Sequence, residues 1–246
     1  MAKKSRLDTL LVDRGVAASR ERARALILAG QVKVDGAVVS KAGTPVAESA
    51  TVDLIVPDHP YVGRGGVKLA HALDAFAIDP AGRRALDVGA STGGFTDVLL
   101  RRGAASVVAL DVGHNQLDWK LRSDPRVIVR EGVNARVLTP AEIPHAVSIA
   151  TIDVSFISLR HILPALPPFL EPGADVVALV KPQFEAGRGE VGSGGIVSDP
   201  AVQEAAVRRI ADAARAVGLD EVAMAPAAIT GATGNQEFFL HLRVRR

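Results

Sequence analysis

The run Ala85-Leu86-Asp87-Val88-Gly89-Ala90-Ser91-Thr92-Gly93-Gly94-Phe95-Thr96 decides the fold. It opens as a short apolar strand, passes through a glycine-rich turn and continues as the start of a helix. That arrangement suits a nucleotide-like cofactor. Glycine lets the backbone approach a ligand closely, and a helix N-terminus offers free N–H groups. The spacing is not G-x-G-x-x-G, the pattern of dinucleotide binding. Here Asp87 leads, and the glycines fall at 89, 93 and 94.

From residue 84 onward, strands and helices alternate. Strands are predicted at 84–89, 105–111, 126–130, 147–153 and 174–180. Helices are predicted at 96–102, 115–122, near 158–170 and at 200–217. This implies an α/β fold with a mostly parallel sheet and helices on both faces. Two later apolar segments, near 220–229 and at 236–243, close the domain. Alternation through Gln236-Glu237-Phe238-Phe239-Leu240-His241-Leu242-Arg243 predicts that the last strand is antiparallel.

In open parallel sheets, ligands bind beyond the carboxyl ends of the strands. Four of these predicted ends carry a charge: Asp87, Asp111, Asp153 and Lys181. Asp111 lies about twenty residues past the glycine turn, where a carboxylate holds ribose hydroxyls. That position fits NAD and S-adenosylmethionine (SAM) equally. Asp87 either shapes the loop or reaches the amino-acid end of a SAM molecule. Asn134 either flanks an adenine or makes a turn. A strand-end lysine beside a cofactor cleft can serve as a base, which makes Lys181 a candidate. Glu237 opens the antiparallel strand at the same rim and is expected to approach Lys181.

The first sixty residues read differently. Leu7, Leu10 and Leu11 have helical spacing and Gly15 stops them. Ser19 is an N-cap for a second helix carrying Ala23, Leu26 and Ile27, which Gly30 ends. Val32 to Val39 alternates around Asp35-Gly36, a hairpin signal, and a strand is predicted from Thr51 to Val56. Pro57 to Gly66 holds two prolines and three glycines without periodicity and reads as a linker. The expected organisation is a small α/β domain at 1–58, a linker at 59–66 and the larger domain at 67–246.

The net charge is only +2, so its distribution says more than its size. Lys3, Lys4, Arg6, Arg14, Arg20, Arg22 and Arg24 crowd the first 24 residues against three acids, which suits a polyanion. The chain has no cysteine, which excludes disulfides, thiolate metal sites and a Cys nucleophile. Aromatic residues are only 4%, too few to suggest a base-stacking platform. No apolar run is long enough to cross a membrane, and the N-terminus does not resemble a signal peptide. The cytoplasm is the expected location.

Four resemblances sharpen this reading. The 85–96 stretch resembles the first motif of SAM-dependent methyltransferases. Residues 5–56, through Arg6-Leu7-Asp8, Arg14-Gly15, Ser19-Arg20, Gly30 and Gly36, resemble an RNA-binding module. That module is shared by a small-subunit ribosomal protein and many pseudouridine synthases. Lys68, Asp153, Lys181 and Glu237 resemble the Lys-Asp-Lys-Glu tetrad of FtsJ-type ribose 2′-O-methyltransferases. With Asp153-Val154-Ser155-Phe156-Ile157-Ser158 and Lys181-Pro182-Gln183-Phe184-Glu185, the whole chain is similar to the TlyA family. Its members are rRNA cytidine-2′-O-methyltransferases, once named haemolysins.

The resemblance implies a Rossmann-like class I methyltransferase sheet behind a small RNA-binding domain. It implies SAM as the cofactor, held by Asp87, Gly89, Ala90, Ser91, Gly93, Gly94, Phe95, Asp111, Asn134 and Asp153. It implies catalysis by Lys68, Asp153, Lys181 and Glu237, without a metal. Lys3, Lys4, Arg6, Arg20, Lys41, Arg64 and Arg188 are the expected RNA contacts. Arg188 sits in the glycine-rich stretch 187–195, read as a mobile substrate lid. The implied partner is ribosomal RNA in ribosomal subunits, large first and small as a second candidate. A monomer is expected, without membrane contact.

The residues also weigh against other chemistries. Cytosine C5 methylation uses a Cys nucleophile, and none exists. Exocyclic amine methylation usually carries Asp/Asn-Pro-Pro-aromatic where this chain reads Asp153-Val154-Ser155-Phe156. A ribose hydroxyl is therefore the better acceptor. The alternatives are a membrane-active haemolysin and an RNA-binding module fused to a dehydrogenase domain. The first lacks apolar membrane segments and the second lacks G-x-G-x-x-G.

Overall fold

A computed structural model of the chain describes residues 3–17, 19–28, 30–55, 59–187 and 189–245. The chain is α/β and divides into two units, Met1–Pro60 and Tyr61–Arg246.

In the first unit, β1 (Lys4–Arg6) leads into α1 (Leu7–Asp13), followed by α2 (Arg20–Leu28). Then come β2 (Val32–Val34), β3 (Ala37–Val38), β4 (Pro45–Ala47) and β5 (Val52–Leu54). β1 pairs antiparallel with β4, and β3-β2-β5 form a second small sheet. Asp35 (φ 48°) and Gly36 (φ 82°) make the tight turn that the Asp-Gly pair predicts. Leu7, Leu11, Ala23, Ile27 and Val32 are fully buried and form the core, at the helical spacing read from the sequence. Val56, the predicted end of the last strand, lies outside the described residues.

In the second unit, α3 (Arg64–Ala75) precedes β6 (Arg84–Val88), α4 (Gly94–Arg101) and β7 (Ser106–Asp111). α5 (Trp119–Arg122), β8 (Val127–Glu131), β9 (Val147–Ile152) and β10 (Leu170–Val180) follow. The unit ends with α6 (Pro182–Glu185), α7 (Pro200–Ala216), β11 (Leu219–Pro226) and β12 (Phe238–Val244). The seven strands lie in the order β11-β12-β10-β9-β6-β7-β8. Only β12 runs against its neighbours, as its alternation predicts. Strand residues alternate between faces. Leu86 and Val88 pack on one side with Val207, Ile210 and Ala214 of α7. Ala85 packs on the other with Leu69 and Leu73 of α3 and Val98 and Leu99 of α4. From β6 the sheet grows outward to β7 and β8 one way and to β9 and β10 the other. A crevice opens at such a reversal, beyond the strand ends.

Three expectations change. The helix expected near 158–170 is three separate 3-10 turns, Leu159–His161, Leu163–Ala165 and Pro167–Phe169. Pro164, Pro167 and Pro168 lack the N–H groups that an α-helix needs. The segment expected as a linker at 59–66 already contains the first turn of α3, from Arg64. Proline-free and set between Gly63 and Val67, Arg64-Gly65-Gly66 is drawn into the helix by the buried face that follows, Lys68, Leu69, Ala72 and Leu73. The helix expected at 115–122 contracts to Trp119–Arg122, capped by Asp118, whose carboxylate accepts from Lys120 N at 2.8 Å.

Candidate active site

The turn after β6 is built by buried polar contacts and by glycines with no room for a side chain. Asp87 is fully buried. Its carboxylate accepts from Thr96 Oγ1 at 2.6 Å and Thr151 Oγ1 at 3.0 Å, which ties β6 to α4 and β9. Burial pushes this carboxyl up to about 7, against the pull of both threonines. Of the two readings of Asp87, the geometry supports the shaping of the loop. Gly89 (φ +84°) is pressed to the next strand: a Cβ there would meet the Asp153 carbonyl oxygen at 2.3 Å. Gly93 (φ +98°) faces apolar packing, where a Cβ would meet Leu121 Cδ1 at 2.2 Å. The absent side chain of Gly93 therefore makes room for α5. A Cβ on Gly94 would meet Gly66 N at 2.9 Å, so this glycine admits α3.

Beyond the turn lies a cavity of about 620 Å³, within the range that small-molecule ligands occupy. Gly89, Ser91, Asp111, Asn134 and Asp153 line it, with Val112, Val154 and Ile157 as apolar walls. Asp111 accepts from Ser91 N at 2.8 Å and Gly113 N at 2.7 Å, one oxygen each. Each oxygen keeps a lone pair for a ligand hydroxyl. Asn134 Oδ1 accepts from Arg136 N at 3.1 Å, so it makes a turn and lines the cavity at once. A smaller space of about 190 Å³ shares Gly89, Ser91, Asp153 and Ser155 with the large one. It adds Ala90, Gly94, Phe95 and Lys181.

The four charged residues form two pairs. Lys68 Nζ, from α3, lies 2.6 Å from Glu237 Oε2, just before β12. Both side chains are buried. Lys181 Nζ, at the end of β10, lies 2.6 Å from Asp153 Oδ1, at the end of β9. Glu237, expected to approach Lys181, pairs with Lys68. Lys68 stands on the first helix of the unit, whose direction across the sheet the sequence does not mark.

Two neighbouring residues were not read as site residues. Lys181 Nζ donates to Ser155 Oγ at 2.9 Å. The signal was a hydroxyl two positions after a strand-end Asp. Phe156 is 91% exposed with φ 63°, in the left-handed region that side chains avoid. Its ring centroid lies 5.2 Å from that of Phe184. Both rings line a cavity of about 660 Å³ with Arg136, Arg160 and His161. Behind this turn, Glu185 accepts from Leu159 N at 2.8 Å and from Ser158 Oγ. Burial raises its carboxyl above the usual range.

The expected RNA contacts divide three ways. Arg6 and Arg20 converge on Asp8 in the first unit, at 2.9 and 3.3 Å, while Lys3 pairs with Glu48 at 3.1 Å. Lys4 and Lys41 are exposed there. Arg64 Nη2 donates to Thr230 O at 3.0 Å in the second unit. Arg188 lies outside the described residues. The loop around it is tethered by Asn235, whose side chain donates to Gly195 O at 2.8 Å and accepts from Val197 N at 2.9 Å.

A doubly wound sheet with one antiparallel strand next to its edge, a glycine turn and a charged rim defines a methyltransferase-type domain. An S-adenosylmethionine-dependent methyltransferase from Mesorhizobium loti has the same fold, at TM-score 0.54 and 16% identity, over 74% of this chain and all of that one. The FtsJ-like methyltransferase model matches residues 61–244 and the S4 domain model residues 5–52. The chain belongs to the FtsJ-like methyltransferase family. It is 49% identical to the 16S/23S rRNA (cytidine-2'-O)-methyltransferase TlyA of Mycobacterium tuberculosis, over 100% of this chain and 92% of that protein. A solved hemolysin-named protein from Streptococcus thermophilus superposes at TM-score 0.78 with 42% identity, covering 100% of this chain and 90% of that one.

Proposed function

We propose that this protein methylates the ribose 2′-hydroxyl of a cytidine in ribosomal RNA, with SAM as methyl donor. The observation that carries this is the Lys181–Asp153 pair, which lines a small space sharing residues with the larger cavity; the buried Lys68–Glu237 pair supplies the other two residues of the expected tetrad.

The residues fit the donor. Asp111 offers carboxylate lone pairs for ribose hydroxyls, and the apolar walls suit an adenine. SAM, when bound, supplies an electrophilic methyl group. Lys181 then takes the proton of the attacking hydroxyl. A neutral lysine nitrogen has two N–H bonds and one lone pair. Ser155 accepts one N–H bond at 2.9 Å and the Asp153 carboxylate stands 2.6 Å from the nitrogen, and together they orient its lone pair toward the ribose hydroxyl. Lys68 and Glu237 form a fixed buried pair that orients the rim. Phe156, exposed at the mouth of the cleft, supports the unstacked base of the target nucleotide.

The S4 unit captures RNA through phosphates, using Arg6, Arg20, Lys41, Lys3 and Lys4, with Arg64 and Arg188 as further contacts. One chain supplies all four tetrad residues, so a monomer suffices, working in the cytoplasm where ribosomes are. Among the described residues, no helix is long and apolar enough to cross a membrane.

Alkaline hydrolysis provides the test. A 2′-O-methyl group blocks cleavage of the adjoining phosphodiester. After incubation of 16S and 23S rRNA with methyl-labelled SAM and the protein, label should survive alkali in dinucleotides. Label released in mononucleotides would point to base methylation instead.

A further inference from the structure

Asp8 is a fully buried acid in the unit that carries the basic residues of the N-terminus. It stands in the first turn of α1. Oδ1 accepts from Arg6 Nε at 3.0 Å and from Thr9 N at 3.0 Å. Oδ2 accepts from Arg6 Nη2 at 2.9 Å, Arg20 Nη2 at 3.3 Å and Arg24 Nε at 3.2 Å. The three guanidinium groups stay about half exposed, at 51%, 54% and 54% of their side chains. Each uses one or two of its five N–H donors on Asp8.

The charges do not cancel. One carboxylate faces three guanidinium groups, which leaves two positive charges over. The arginines come from different elements: Arg6 precedes α1, while Arg20 and Arg24 are one turn apart on α2. Without a common partner these long side chains would repel one another and sample many rotamers. A ligand would then have to gather and order them. Asp8 has already done so, and the guanidinium is a fork whose remaining donors match phosphate oxygens.

We propose that Asp8 is a positioning residue for RNA, holding Arg6, Arg20 and Arg24 as one preformed platform for backbone phosphate, with Arg24 an RNA contact in its own right. The inference rests on the reading that the S4 unit binds ribosomal RNA. Removing a negative charge from an RNA-binding face should strengthen binding by Coulomb attraction alone. Loss of the platform weakens it.

The test is the affinity of the full chain for purified 23S rRNA over a range of salt, for wild type, Asp8→Asn, Arg24→Ala and Arg6→Ala. Asp8→Asn should bind more weakly, and its log Kd against log salt slope should flatten by about 0.9 for each arginine that lets go. Arg24→Ala should flatten it by about one such step. Tighter or unchanged binding by a folded Asp8→Asn, with the slope kept, overturns the proposal. So does an unchanged slope in Arg24→Ala, which decides alone if circular dichroism shows Asp8→Asn unfolded. Arg6→Ala separates the two levels. If it too leaves binding unchanged, the RNA-binding reading of this unit fails; if it weakens binding while the others do not, only the platform fails.

Discussion

Lys68 Nζ and Glu237 Oε2 meet at 2.6 Å across 169 residues of sequence, both side chains buried against the methyltransferase sheet. A buried pair of this kind is costly to break. Glu237→Ala leaves the ammonium without a partner and should lower stability by about 3–5 kcal/mol in urea denaturation. The double variant Lys68→Met/Glu237→Leu should recover most of that loss, because apolar replacements avoid desolvating two charges. It should still not methylate RNA. A double variant with wild-type turnover would show that the pair only fastens α3 to β12.

The Lys181 nitrogen, held by Asp153 and Ser155, is the proposed base. Lys181→Ala should lower kcat by about 10²–10⁴ with KM little changed. Lys181→Arg should be as poor, since guanidinium keeps its proton near neutral pH. Ser155→Ala removes the hydroxyl that orients the Lys181 nitrogen and should lower kcat about tenfold. Full activity in Lys181→Arg would make this residue a positioning group.

Cofactor binding is best probed away from Gly93. A side chain there must sit at φ +98° and against Leu121 and Leu117. Gly93→Val should therefore lose about 1–2 kcal/mol for the left-handed backbone and about 1–3 kcal/mol for overpacking. Any loss of SAM binding would then report misfolding. Asp111→Asn keeps an acceptor oxygen but loses the charge. Calorimetry should show SAM affinity about ten- to a hundredfold weaker, with a lower melting temperature because the amide nitrogen faces the N–H of Ser91 or Gly113. Unchanged affinity would place the ribose elsewhere.

The buried Asp87 carboxyl should leave a mark on stability against pH. It keeps its proton up to about 7 in the folded chain. In the unfolded chain it loses the proton near about 4. Between those values folding takes up a proton, so this contribution is fullest below about 4 and falls as pH rises to about 7. Asp87→Asn has no such carboxyl. Its stability relative to wild type should climb between about pH 4 and 7, and parallel melting curves would contradict this.

Much of this was legible because it follows from spacing. The glycine turn, the strand-end acids and the antiparallel last strand are local patterns, and each stands where the sequence puts it. Partner choice was not. Whether Glu237 meets Lys68 or Lys181 depends on how α3 crosses the sheet, which no local pattern encodes. β1 and β4 are three residues each, too short to show alternation. The left-handed backbone of Phe156 carries no sequence mark, because only glycine announces that region. The packing of Gly93 against α5 is not legible either, because a glycine's sequence position does not tell which neighbour crowds it.

The central claim is tested most directly by the identity of the methylated nucleoside. Ribosomal subunits incubated with the protein and isotopically labelled SAM are digested to nucleosides and separated by mass spectrometry. Labelled 2′-O-methylcytidine should form with wild type and be absent with Lys181→Ala. Label on a base, or no label from a protein that permeabilises lipid vesicles, would contradict the account.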